Sequence, residues 1–256
     1  VPVVSAAVSD GRFMNLGERA PAPLGYLRFC ARRPDQCGLQ VEGGDAAAES
    51  GAALERRLIG TYFWSVAFAT HAAAAPSPTA GVAGIGATLR WASSAPSATT
   101  APSFAPSPGR LVSGPLGSAL VLDDGVMALL DRTNLRINES IRYESDESQF
   151  GAGDYWTLPL DVGGSGAGDC KDFVLEKRRA LVAAGVPDEA LSIAIVRTPW
   201  GETHAVLLVA TDRGELVLDS LSAFVAPWQE THYVWLERQA PGSQLDWVKI
   251  LPPSRI

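Results

Sequence analysis

The sequence predicts an α+β fold in which helices come first and an antiparallel sheet follows. Three observations predict it. Two stretches between Leu120 and Pro187 carry apolar residues at helical spacing, the first with a capping Asp ahead of it and the second with a Gly and Pro stop. Short apolar runs broken by polar turns follow, the pattern of paired strands. The composition, 46% apolar and 19% charged, suits a packed core.

The first helix is expected in VLDDGVMALLDRTNLRINESIRY, where Val126, Leu129, Leu130, Leu135, Ile137 and Ile141 recur at helical spacing. Asp123 or Asp124 can cap it. Tyr143 to Gly153 is acidic and polar and reads as a loop, and a glycine-rich approach runs from Gly163 to Gly168. The second helix is expected in DCKDFVLEKRRALVAAGVP, with Phe173, Val174, Leu181 and Val182 on one stripe beside Leu175 and Ala180. Gly185 and Pro187 stop it. Strands are expected at Leu191–Val196, His204–Ala210 and Glu215–Leu218, and the break Thr211-Asp212-Arg213-Gly214 makes the last two a hairpin. Two further strands are expected at Tyr233–Arg238 and Trp247–Ile250.

Residues 19–251 are expected to form a single domain, with 43–118 as an irregular Ala/Pro/Ser/Thr-rich insertion. Within it, 75–117 has no period of two or 3.6 and too little apolar surface to offset its ordering entropy, so it reads as flexible. The run LIGTYFWSVAFATHAAAA from Leu58 reads first as a packed or amphipathic helix, with a membrane segment and an odd insertion as alternatives. The chain opens on Val without a charged segment and apolar run, as in a mature product whose export signal is gone.

The formal net charge of -7, with no cluster of Lys and Arg, excludes nucleic acid as the expected partner. Three cysteines and three histidines without a CxxC pair give zinc little support. Cys30 and Cys37 lie close together in FCARRPDQC. Either they form a disulfide, which points to an oxidising compartment, or they are two buried thiols.

Cys170 is the thiol left over, and it opens the second helix. The unpaired N–H groups and positive dipole at a helix start favour a thiolate and can hold an oxyanion. The glycines ahead of it, ending at Gly168, let backbone approach a substrate closely. A thiolate nucleophile needs a base. His204 opens the rigid strand HAVLLVA, and Asp219 ends the next one, so a hairpin makes them neighbours at one sheet edge. Asp219 is then placed to accept the second imidazole N–H. His232 is the competing base, and His71 falls in the insertion.

The blocks GDCKDFVLEKRRALVAAGVP, GETHAVLLVATDRGELVLDS and PWQETHYVWLERQ resemble the bacterial transglutaminase-like cysteine proteinase family, which includes LapG-like periplasmic proteases that release biofilm adhesins. The resemblance runs from about Leu120 to Ile250, and GYLRFCARRPDQC is similar to the family's N-terminal segment. It implies a papain-like fold, periplasmic or secreted location, and a triad of Cys170, His204 and Asp219. It also implies a thioester acyl-enzyme formed on a protein substrate, and a membrane receptor as regulator. YWTLP resembles the aromatic segment ahead of the nucleophile, which puts Trp156 at the groove wall or in the core. The chemistry needs no cofactor. Adhesin-releasing members bind calcium beside the nucleophile, which implies Asp169 and Asp172 as ligands here. Lys171 stands where a Glu is usual and takes charge and denticity from a hard-cation site, or fills the ion's place. Ser220 follows Asp219 where Asn is expected. The same triad also suits transglutaminase or amidase chemistry, and the same fold suits a non-catalytic binding module.

Overall fold

The computed structural model describes residues 11–39, 52–60 and 109–252. The segment from Phe13 to Cys37 is built around aromatic burial. Strand β1 (Asn15–Ala20) leads into helix α1 (Leu24–Arg32), which buries Tyr26, Leu27, Phe29 and Cys30. Pro23 supplies no side-chain cap, and the Gly25 amide is instead met by Asp154 Oδ2 at 2.7 Å. The tight turn after α1 brings Cys30 and Cys37 into a disulfide. Of the two arrangements open to these cysteines, the bridge is the one formed.

The insertion expected over 43–118 contains order in its described parts. Residues 52–60 form a helix, α2, with Leu54 and Leu58 in the main core. The rest of the run from Leu58, residues 61–75, lies outside the described residues. Among the described residues, no helix is long and apolar enough to cross a membrane. Strand β2 (Leu111–Gly114) pairs with β3 (Gly117–Leu120) in a hairpin whose turn needs positive φ at Gly117. Residues 111–117 are therefore not irregular. The stabilising partner is remote: Leu120 pairs with Thr211, a contact that local composition cannot reveal.

Helix α3 (Asp124–Ser140) starts where Asp123 accepts the Val126 amide at 2.8 Å. The acidic stretch expected to be a loop holds strand β4 (Arg142–Tyr143) and helix α4 (Asp146–Phe150), the latter capped by Ser145. Strand β5 (Ala167–Gly168) pairs with β4 and delivers the chain to helix α5 (Cys170–Ala183). Five strands then follow: β6 (Leu191–Arg197), β7 (Thr203–Thr211), β8 (Gly214–Leu218), β10 (Val234–Gln239) and β11 (Trp247–Leu251), with a short β9 (Ala226–Pro227) between β8 and β10.

Among the described residues, nine strands form one sheet in the order β1-β11-β10-β6-β7-β3-β2, with β8 and β9 joined through β7. The expectation of an antiparallel sheet is corrected to a mixed one, because β3 runs parallel to β7. Alternation along β6 and β7 sorts the two faces. Ile193, Leu207 and Val209 pack with Val174, Leu175 and Leu181 of α5, whereas Ala194, Val206 and Leu208 pack with Met14 and Ile250. Tyr26 anchors the first core, its ring centroid 5.1 Å from Trp156 and 5.8 Å from Trp247. A buried ion pair between Arg238 and Glu215, with the Met14 amide also donating to Glu215, ties β10, β8 and the N-terminal segment together.

Candidate active site

The start of α5 is fixed by its own sequence. In Asp169-Cys170-Lys171-Asp172 the first aspartate is the N-cap and the last reaches back to the Asp169 amide at 3.1 Å, a reciprocal capping box. Cys170 is therefore the first helical residue, half-buried and a free thiol. Gly168 precedes it where a Cβ would lie 2.7 Å from Asp172 Oδ2. The capping box thus requires glycine there.

The β7–β8 hairpin delivers the other two residues. Leu207 faces Leu218 across it, so Asp219 emerges one residue later, beside the start of β7. His204 and Asp219 are both buried, and His204 Nε2 lies 2.7 Å from Asp219 Oδ1. Asp219 is held as a carboxylate. Burial raises its pKa, but the His204 contacts, the Leu221 amide at 2.9 Å and the Tyr233 hydroxyl at 2.5 Å outweigh it and bring the value below the ordinary range. A carboxylate only accepts, so Nε2 carries the proton. Cys170 is close enough to act on the charge of the imidazole. Burial lowers the His204 pKa, and the interactions with Asp219 and Cys170 overcome it to bring the group up to about 9.

Five residues in and around this arrangement escaped the sequence reading. Tyr233 holds the far oxygen of Asp219, and its own ionisation is pushed up by burial and by that carboxylate. Asn138 on α3 donates to the Asp219 carbonyl at 2.9 Å and, with Asn134 one turn earlier, to the Ser222 carbonyl. Two asparagines four apart on a buried helical stripe were the available signal. Lys177, two turns into α5, is fully buried, and its Nζ has no hydrogen-bond partner among the described residues. Burial brings its pKa down to about 7, against the pull of Asp219. Asp146 is the fifth.

Asp146, Asp169 and Asp172 form a cluster whose ligand oxygens lie within 4.8 Å of one another, a group that could hold a metal ion. Lys171 is folded into it. Its Nζ is 2.6 Å from Asp146 Oδ2 and 2.6 Å from each Asp169 oxygen. Burial raises the Asp172 pKa to about 7, with Lys171 opposing.

Of the expected site residues, Cys170, His204 and Asp219 come together. Trp156 and Gly168, expected as substrate contacts, are both buried. Trp156 is only 2% exposed, packed on Tyr26 and bonded to Asp154 through Nε1 at 2.8 Å. Gly168 is buried against Asp172. His232 is exposed, and it is the next residue, Tyr233, that turns inward to Asp219. His71 lies outside the described residues.

No curated protein matches the chain. Solved structures of Legionella pneumophila LapG do. The calcium-bound form is 29% identical, with a TM-score of 0.40 over 44% of this chain and 64% of that one. A second LapG structure is 30% identical, with a TM-score of 0.39 over 44% and 63%. The EGTA-treated form is 30% identical, with a TM-score of 0.39 over 44% and 62%. The chain thus spans less than two thirds of each. The family described as bacterial transglutaminase-like cysteine proteinase BTLCP matches residues 116–255, more than half of the sequence, and the chain belongs to that family.

Proposed function

We propose that the protein is a cysteine endopeptidase with Cys170 as nucleophile, His204 as acid and base, and Asp219 as the group that orients His204. The observation that carries this reading is the line formed by Asp219 Oδ1, bonded to the buried His204 ring at 2.7 Å, and Cys170, which acts on the same ring. Family membership over residues 116–255 supports a papain-like arrangement, and residues 19–251 are read as one catalytic domain.

The chemistry follows from that line. Cys170 Sγ gives its proton to His204 and attacks the scissile carbonyl, and the amide at the start of α5 faces the developing oxyanion. Collapse of the tetrahedral species breaks the C–N bond, and His204 passes its proton to the leaving amine. The acyl group remains as a thioester on Cys170. A water then loses a proton to His204 and attacks the thioester. The carboxylic acid product leaves and the thiolate–imidazolium pair is restored.

Exposed side chains around the line favour a polypeptide substrate. Tyr143 lies within electrostatic range of Cys170, Trp200 bonds Glu202 just before His204, and Leu221 follows Asp219. All three are exposed and aromatic or aliphatic. The disulfide supports a periplasmic or secreted location, and the family resemblance supports an exported or surface substrate and a membrane-receptor regulator.

Calcium is the cofactor the resemblance implies. Asp146, Asp169 and Asp172 are the residues that would hold it, but with the Lys171 ammonium among them they do not fit an ion. No step above passes through a metal.

The test is labelling by a thiol-directed acyl probe, followed by cleavage of a peptide library. Wild-type protein labels much faster than His204→Ala, Cys170→Ala does not label, and peptides are cut. Equal labelling of wild type and His204→Ala overturns the triad. Incorporation of an added primary amine without cleavage overturns the peptidase reading in favour of acyl transfer.

A further inference from the structure

The cluster beside the nucleophile has the form of a cation site whose cation is part of the chain. Asp146 comes from the start of α4, and Asp169 and Asp172 from the start of α5. Each carboxylate also fixes backbone. Asp146 Oδ2 accepts the Tyr155 amide at 2.6 Å, Asp172 Oδ1 accepts the Thr157 amide at 2.7 Å, and Asp169 caps α5. The cluster therefore clamps the 155–157 segment and α4 to the helix that carries Cys170. Three carboxylates this close repel one another, so the clamp needs a positive charge at its centre.

We infer that the Lys171 ammonium is that charge: a tethered cation that takes the place of a divalent ion and makes the nucleophile's clamp independent of metal. The geometry carries this. Nζ approaches three oxygens of two carboxylates at 2.6 Å, the upper end of calcium–oxygen distances. A calcium ion and this ammonium would need the same oxygens and the same space. Lys171 is almost entirely buried, so its head group does not swing to solvent without leaving two carboxylates unpaired. The remaining Asp146 oxygen is buried with no partner among the described residues. An ammonium, with its smaller charge and fewer contacts, leaves over one oxygen that a divalent ion in its place would use.

The inference concerns binding and stability and stands apart from the peptidase reading. Its test is thermal melting of the whole chain with calcium or with a chelator, and terbium luminescence, for wild type, Lys171→Glu and Lys171→Met. Wild type melts at the same temperature in both conditions and binds no terbium. Lys171→Glu and Lys171→Met melt lower in chelator, bind terbium, and gain about 5–10 °C with saturating calcium. A wild-type melting temperature that rises with calcium or falls with chelator overturns the inference, and needs no variant to fold. Variants that bind no terbium and show no calcium response also overturn it, because the cluster is then no ion site at all. Cys170 labelling in the same samples reports separately on the triad.

Discussion

Tyr233 and His204 share one carboxylate: the phenol donates to Asp219 Oδ2 at 2.5 Å while the imidazole Nε2 donates to Oδ1 at 2.7 Å. The two rings lie 5.9 Å apart, so Asp219 is gripped from both sides. This fixes the direction in which Asp219 points and the nitrogen that His204 turns to Cys170.

Charge and orientation at Asp219 separate in two variants. Asp219→Ala loses the acceptor and lowers kcat/KM by on the order of 10³–10⁴-fold. Asp219→Asn keeps an acceptor but not the charge, so it loses less and shows a lower pKa for His204. The folded His204 pKa of about 9 lies above its ordinary 6.5, so the imidazolium contributes stability fully below 6.5 and loses it as pH rises through 9. Wild-type activity falls above about pH 9, and the Asn variant brings that fall to lower pH. A pH–rate profile checks both.

Tyr233→Phe removes one hydrogen bond and leaves the ring. The cost in kcat/KM is about tenfold, the size of a lost bond to a charged group. With one donor fewer, Asp219 holds the His204 proton more tightly, so the alkaline limb moves up. Opposite shifts for Tyr233→Phe and Asp219→Asn are the diagnostic, read from the same profile.

Lys177→Met replaces a buried ammonium that lacks a hydrogen-bond partner among the described residues with an apolar chain of similar length. The variant is more stable at neutral pH by about 1–3 kcal/mol. The folded Lys177 pKa of about 7 lies below 10.5, so the unfolded chain binds more protons between those values. Wild-type stability therefore gains on the variant as pH rises from 7 to 10.5. Denaturant midpoints across that range measure it.

The Cys30–Cys37 bridge closes a loop with a sequence separation of 7. A short loop gives modest stabilisation, about 2–3 kcal/mol. The Cys30→Ala/Cys37→Ala double variant lowers the urea midpoint accordingly, while Cys170 still labels in the folded protein.

The sequence was most legible where local rules and tertiary demands coincide. Helix α5 carries its stripe and its stop, and the β7–β8 hairpin carries its turn, so the placing of Cys170, His204 and Asp219 follows from spacing. Pairings between distant segments were not legible. Nothing near Leu120 announces Thr211, and β1 takes its place only beside β11. The supporting residues were hidden for the same reason. Tyr233, Asn138 and Asp146 meet the site across long stretches of chain, and each alone looks like an ordinary strand, helix or loop residue. Trp156 was ambiguous because an aromatic beside a nucleophile serves a wall or a core equally well, and burial on Tyr26 decided it.

The ammonium among Asp146, Asp169 and Asp172 also bears on how such a protein changes over time. Lysine and glutamate codons differ at one base. A single nucleotide at position 171 thus separates a clamp that carries its own counterion from one that must draw it from the surroundings. With Lys171 as the proposed counterion, responsiveness to environmental calcium is a trait gained or lost in one mutational step.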